Sequence, residues 1–370
     1  MKEIIPVTKP YLPSREKLNK YIDGIYERNW LTNNGPLVQE LTKRLEEYLG
    51  VENLLLISNG TLALQIAYRA LGINEPANGK PAEAITTPFT FVATSSSLKW
   101  EGVNPVFVDI DKDTWNLDPE LIEEAITPQT RAIVPVHVFG NPCDVEAIHE
   151  IAERHQLKVI YDAAHAFGVN YRNESVLKWG DAATLSFHAT KVFHTIEGGA
   201  IVFKHKKDLE KAKALINFGI TGPDQISELG INAKMSEFNA AMGLCVLDDI
   251  IHVFQDRKER YERYMGRLSS RLERQCLNEH SSLNYSYIPI LLDEENVLKD
   301  TLEVFSDNDI YPRRYFYPSL NNIDISSSCL TLPISESVSS RVLCLPIYST
   351  LKAEDIDGIS NIVNSVGGRL

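Results

Sequence analysis

The 370-residue chain has no CxxC pair, no basic tract and no apolar run approaching the roughly 18 residues that a membrane helix needs. Its five cysteines (Cys143, Cys245, Cys276, Cys329 and Cys344) are scattered and odd in number. That pattern excludes a disulfide framework and a zinc site, so a reduced, cytoplasmic protein without a metal is expected. The start, Met1-Lys2-Glu3-Ile4-Ile5-Pro6, is broken at once by charge and proline and does not read as a secretory leader. Lys and Arg (37) are outnumbered by Asp and Glu (50), for a formal charge of −13. Nucleic-acid and membrane-surface binding need basic faces and are disfavoured. An anionic ligand would have to be met by locally placed cations and amides. Neither G-x-G-x-x-G nor a Walker lysine occurs, which argues against dinucleotide binding and nucleoside triphosphate hydrolysis.

What is present is a long alternation of β-branched runs and helical patterns. Strands are expected at Leu54–Ile57, Ala84–Thr87, Pro105–Val108, Ala132–Val136, Leu157–Tyr161, Ala182–Phe187 and Ala200–Phe203. Helical segments fall between several of them, at Leu62–Leu71, Val145–His155 and Asp208–Phe218. This alternation predicts an α/β protein with a mostly parallel sheet between helices. From about Asn232 the pattern changes. One long helix is expected over Met235–Arg271, then short strands in Tyr285–Leu292, a helix at Val297–Asp307 and a last helix at Ala353–Val366. The Ser-rich piece from Ser326 to Ser340 reads as a mobile loop. We expect a large unit over 1–250 and a smaller α+β unit over 251–370.

Two places carry chemistry. The strand Leu157–Tyr161 runs into Asp162-Ala163-Ala164-His165, and a polar loop between two later strands holds Lys191, followed by Glu197-Gly198-Gly199. A strand-end acid and a loop lysine are what a pyridoxal phosphate enzyme needs. The lysine forms a Schiff base with the cofactor aldehyde, and the carboxylate keeps the ring nitrogen protonated so that the ring accepts electrons. Ser58-Asn59-Gly60-Thr61, between a strand and a helix, suits a phosphate cradle as well as a plain helix cap. Phe91, in the segment Thr86–Val92 that follows a strand, could stack on a ring or fill the core. Asp162 alone could be a turn residue and His165 a satisfied buried histidine. Their order along the chain, cradle, aromatic loop, acid and lysine, favours one composite site at the carboxyl edge of a sheet.

These segments resemble the DegT/DnrJ/EryC1/StrS sugar-nucleotide aminotransferase family. The likeness rests on Ser58–Thr61, Pro135–Pro142, Tyr161–Gly168 and Ser186–Lys191, and runs from Trp30–Pro36 to Leu345–Tyr348. The resemblance implies the fold-type I architecture of pyridoxal 5'-phosphate enzymes and a homodimer with shared active sites. It implies Lys191 as the lysine that binds the cofactor and moves the proton. Asp162 then pairs with the pyridinium, His165 touches the phenolic oxygen, Gly60, Thr61 and Ser186 hold the phosphate, and Phe91 stacks on the ring. Asn232 matches an asparagine that reaches the partner's cofactor phosphate. Trp30, Thr32, Asn33, His188, Arg313, Arg314 and Tyr315 are the substrate candidates. Arg313 and Arg314 suit a diphosphate through their bidentate forks, although each could equally be a solvated arginine.

Within the family, Ser-Phe-His-Ala-Thr-Lys and Glu-Gly-Gly are similar to the 4-amino branch. The implied reaction is transfer of an amino group from L-glutamate to the C4 keto group of a nucleotide-linked 4-keto-6-deoxyhexose, with dTDP-4-keto-6-deoxy-D-glucose as substrate. The product would serve surface-polysaccharide synthesis, such as O-antigen. Three competitors stand beside it. One is a 3-aminotransferase on a dTDP-3-keto-6-deoxyhexose, and another is a cofactor-using sugar dehydratase, whose relatives carry histidine in place of the lysine. The third is a non-catalytic member.

Overall fold

The computed structural model describes residues 4–323 and 331–367. Seven short strands form the central sheet, in the spatial order Leu54–Ile57, Gly199–Phe203, Ala182–Ser186, Lys158–Asp162, Thr130–Val134, Glu83–Thr86 and Asn104–Phe107. Gly199–Phe203 runs antiparallel to both its neighbours, and every other pairing is parallel. Alternation along the strands decides which layer each side chain joins. Leu54, Leu56, Val159, Tyr161 and Val202 enter one apolar cluster, while Leu55, Ile57, Ile160 and Ile201 enter another. Helices Pro36–Leu49, Val145–His155 and Glu237–Asp248 cover the first face. Gly60–Ala70, Ala93–Trp100 and Lys206–Leu215 cover the second. Burial on both faces is why the strands read as near-continuous apolar runs.

Most expected strands lie within one or two residues of their places. Thr130–Val134 ends earlier than expected because Pro135 has no N–H to donate to a ladder, although its carbonyl accepts the Asp162 N–H at 2.9 Å. Helix Gly60–Ala70 begins two residues early because Asn59 caps it, its Oδ1 accepting from the Leu62 N–H at 2.8 Å.

Two expectations are corrected. The long helix is two helices, Glu237–Asp248 and Ile250–Arg267, interrupted at Asp249 (φ −101°, ψ 3°). The Asp249 carboxylate is held by the Tyr11 hydroxyl at 3.1 Å and Lys17 Nζ at 2.9 Å, a long-range tie that no helical periodicity records. The Ser-rich stretch is helical over Pro333–Arg341, and its earlier residues up to 330 lie outside the described residues. A proline in the first turn and the Asp109 carboxylate favour this helix. Asp109 accepts from the amides of Ile334 (3.0 Å) and Ser335 (2.8 Å).

The chain beyond Tyr264 builds a third apolar cluster around Ile288, Leu298, Phe305, Leu343, Ile356 and Val363. Ile5 joins it, because Ile5–Pro6 pairs in parallel with Ile310–Tyr311. The strand expected over Tyr285–Leu292 contracts to Pro289–Leu291, which pairs antiparallel with Val342–Cys344 and leaves 285–288 irregular. A fourth cluster, with Phe89, Trp115, Phe139 and Phe316, joins this part to the central sheet. Among the described residues no helix is long and apolar enough to cross a membrane. Cys143, Cys245, Cys276 and Cys344 are free thiols.

Helices Arg15–Arg28 and Pro36–Leu49 were not anticipated from sequence. The second depends on Glu237, a fully buried carboxylate that accepts from the amides of Leu37 and Val38, both at 3.0 Å. Replacing Glu237 with Ala leaves two buried first-turn donors unpaired. It should cost about 2–4 kcal/mol of stability, read as a lowered midpoint in urea unfolding. A midpoint equal to wild type would remove Glu237 from this role.

Candidate active site

Because only Gly199–Phe203 is reversed, six strands present their carboxyl ends at one edge of the sheet, where ligands of open α/β sheets bind. The loops leaving that edge enclose a cavity of about 290 Å³. Gly60, Thr61, Phe91, Asp162, His165, Ser186, His188 and Lys191 all line it, and Arg313 and Tyr315 enter from the carboxyl-terminal part. Ten of the residues singled out in the sequence therefore meet in one place, although they span more than 250 positions.

Lys191 sits in a turn closed by its own N–H to the His188 carbonyl at 2.9 Å. Its Nζ donates to the Tyr287 hydroxyl at 3.2 Å. Burial pushes its amine down to about 8. Tyr315 and Asp162 oppose that fall, and Arg313 adds to it. Asp162 ends its strand only 6 % exposed. One carboxylate oxygen accepts from Thr94 Oγ1 at 2.8 Å and the other from the Ala164 N–H at 3.1 Å. Burial raises its pKa against these two donors and the pull of Lys191. A buried anion so held is suited to a ring N–H⁺.

Another part of the cavity lining suits an anion. With Asn59 taking the Leu62 amide, the first amides of the Gly60–Ala70 helix have no acceptor within the helix. A Cβ on Gly60 would come within 2.9 Å of Ser186 Cβ, and one on Gly199 within 2.8 Å of the Asn59 backbone. Both positions need glycine for this close approach. His165 is buried against Phe139 and Phe316, with ring centroids 6.1 and 5.8 Å away. Its Nδ1 accepts from the Phe139 N–H at 3.3 Å. Burial holds the ring neutral, so its proton sits on Nε2. Anion cradle, neutral N–H donor, buried carboxylate and low-pKa lysine together fit pyridoxal 5'-phosphate.

Other sequence candidates fall elsewhere. Arg314 is turned away, donating to Glu295 Oε1 at 3.0 Å and the Ser340 carbonyl at 2.9 Å while covering the Tyr317 ring. Its pairing with helix Glu295–Asp307 explains why only Arg313 reaches the cavity. Trp30, Thr32 and Asn33 lie exposed outside it, with the Trp30 indole donating to the Thr32 carbonyl. Asn33 faces a separate cleft beside Lys234 and Asn217. Asn232 is also exposed, at a bridge with Asn217. His188 stands at the cavity with Nδ1 2.8 Å from Thr190 Oγ1 and Nε2 3.7 Å from Glu197, which also lines it. Tyr287 and Thr94 were missed. Tyr287 lies in a stretch that reads as plain strand, and Thr94 in a short helix with no distinctive spacing.

Comparison with known proteins agrees with this geometry. The model of the DegT/DnrJ/EryC1/StrS aminotransferase family matches residues 13–364. The chain is 42% identical to a dTDP-4-amino-4,6-dideoxy-D-glucose transaminase of Shigella dysenteriae, covering 99% of this chain and 100% of that one. It is also 42% identical to a protein of the same description from Escherichia coli, over 97% and 98%. Among solved structures it is similar to DesI, crystallised in the presence of its TDP-sugar product. That match has a TM-score of 0.92 at 32% identity, covering 100% of this chain and 94% of that one.

The titration of Lys191 is open to direct measurement. In cofactor-free protein, labelling of Lys191 by an amine-acylating reagent, followed by peptide mass spectrometry, should rise with pH through an inflection near 8. The neutral amine is the reactive form and dominates above that pH, whereas surface lysines should rise near about 10.4. An inflection shared with the surface lysines would contradict the burial argument.

Proposed function

Since the chain belongs to the DegT/DnrJ/EryC1/StrS aminotransferase family, and is thus a pyridoxal-phosphate-dependent aminotransferase, we propose that it moves an amino group from L-glutamate to the C4 keto group of dTDP-4-keto-6-deoxy-D-glucose. The observation that carries the choice of substrate is the end-to-end likeness to relatives named for the 4-amino product. The product would feed a surface polysaccharide, and the free thiols suit a reducing cytoplasm.

When bound, the cofactor supplies an aldehyde carbon that carries the nitrogen and a ring that accepts the electron pair left by the donor's α-proton. Gly60 and Thr61 amides with the Ser186 hydroxyl would hold its phosphate, and Phe91 would cover the ring. Asp162 would keep the ring nitrogen charged, so the electron pair has a place to go. His165 would donate Nε2–H to the phenolic oxygen. Lys191, neutral above about pH 8 and partly so below it, can take the α-proton from glutamate and return it one carbon away. Arg313, with Tyr315 beside it, would meet the diphosphate of the sugar nucleotide. Donor and acceptor share one cavity, so ping-pong kinetics follow.

We also take the working unit to be a homodimer. Phe218, Ile220, Ile226, Leu229 and Ile231 form an exposed apolar band, the least exposed at 40 %, directly before Asn232. A partner covering this band would bring Asn232 to a second cavity, as the family resemblance implies. The exposed Trp30, Thr32 and Asn33 could act there in the same way. In this reading residues 1–250 form the cofactor-binding unit and 251–370 the smaller one, supported by the third apolar cluster.

Loaded protein incubated with L-glutamate and dTDP-4-keto-6-deoxyglucose should yield a product whose amine, located by NMR, sits at C4. An amine at C3 of the corresponding 3-keto sugar, with no turnover of the 4-keto sugar, would replace this reading by the 3-amino one. Lys191→Ala should abolish turnover, and Asp162→Asn should lower kcat by about 10²- to 10³-fold.

A further inference from the structure

Tyr287 is the side chain hydrogen-bonded to the Lys191 amine, and nothing in the cofactor cradle requires it. Its ring is fixed on several sides: centroids lie 4.5 Å from His165, 5.4 Å from Phe139 and 5.9 Å from Tyr315. The backbone that carries it is tied to the sheet edge. Asn284 Nδ2 donates to the carbonyls of His165 (2.7 Å) and Phe167 (3.2 Å), and the Ile288 carbonyl accepts from the Leu345 N–H at 2.9 Å. The phenol oxygen is therefore held in register with the loop that ends at His165, independently of the mobile four-carbon stem of the lysine.

We propose that Tyr287 is the positioning residue for Lys191: its hydroxyl oxygen accepts one N–H of the amine and keeps Nζ at the cavity wall, with its lone pair aimed at the reacting carbons. This rests on the role of Lys191 given above. A free lysine amine on four rotatable carbons would spend most of its time out of line with either carbon. In the step concerned, the Nζ lone pair would take the proton of the donor's C–H bond, while a bound cofactor would supply the acceptor for the electron pair left behind. Nζ would then give that proton to the neighbouring carbon, where the returning electron pair would form the new C–H bond. Tyr287 neither gains nor loses a proton, and its oxygen can accept from Nζ in both charge states. The groups facing the pair are Asp162 and His165 from the sheet edge, Arg313 and Tyr315 from the carboxyl-terminal segment, Cys344 behind them and Arg257 from helix Ile250–Arg267. Burial holds the phenol protonated against the pull of Arg257 and Arg313, which suits a fixed acceptor rather than a base.

Tyr287→Phe keeps the ring and its packing and removes only the oxygen. Two measurements read it. In the glutamate half-reaction, kcat should fall about 10- to 100-fold while KM for glutamate changes less than about threefold. In cofactor-free protein, the labelling inflection of Lys191 should fall below that of wild type, because its ammonium form has lost an acceptor. Tyr287→Leu, which also removes the ring, separates packing from positioning. If Phe behaves as wild type in both measurements and only Leu is impaired, Tyr287 is a packing residue and the proposal is overturned. If Lys191→Ala retains turnover, the lysine itself is misassigned, a failure distinct from that of Tyr287.

Discussion

The structure depends on one electrostatic constraint: an amine and a carboxylate, both drawn out of water, facing one cavity. Burial disfavours each charged form, so Lys191 is pushed towards the neutral amine and Asp162 towards the neutral acid. Both shifts are opposed in part, and the opposing neighbours differ. Asp162 is given fixed donors in Thr94 and the Ala164 amide, which favour the anion. Lys191 is pushed down by burial, with Arg313 adding to the fall and Tyr315 and Asp162 only partly opposing it. A low-pKa amine and a hydrogen-bonded carboxylate are thus placed by similar burial on the same sheet edge.

The sheet supplies the placement. One reversed strand beside six that run the other way brings the Ile57, Thr86, Asp162 and Ser186 strand ends to a common rim, with the Glu197-Gly198-Gly199 turn entering between two of them. The carboxyl-terminal part closes the rim from the other side. Its anchors are aromatic and polar rather than catalytic: the Phe139–Phe316 stack at 5.7 Å, the Asn284 bonds to the His165 loop, and Asp109 capping helix Pro333–Arg341. Arg313 and Tyr315 reach the cavity only because this docking is well defined.

Much of the sheet was legible in the sequence because β-branched runs bounded by Gly, Pro and Asp record burial on both faces. That Gly60, Asp162 and Lys191 share one cavity was legible for a related reason. Asp162 ends a strand, and Gly60 and Lys191 lie in the turns that follow strands ending at Ile57 and Ser186, where short-range spacing carries the geometry. What was not legible lies in long-range contacts. The break at Asp249 is made with Tyr11 and Lys17, some 230 residues away, and the start of helix Pro36–Leu49 is completed by Glu237. Arg313 and Arg314 are equivalent in sequence, and it is Glu295, the Ser340 carbonyl and the Tyr317 ring that hold Arg314 away from the cavity. His137, in a segment that carries the family likeness, proves to be a buried packing residue. Its ring stacks on Tyr161 at 4.6 Å and its Nδ1 accepts from the Cys143 N–H at 3.1 Å.

In the proposed function Lys191 is the covalent anchor facing Asp162. Borohydride reduction of the cofactor-loaded protein, followed by proteolysis and mass spectrometry, tests it most directly. A phosphopyridoxyl adduct is expected on the peptide containing Lys191, lost in Lys191→Ala and strongly reduced in Asp162→Ala. An adduct on a different lysine, or one on Lys191 that is indifferent to loss of Asp162, would contradict it.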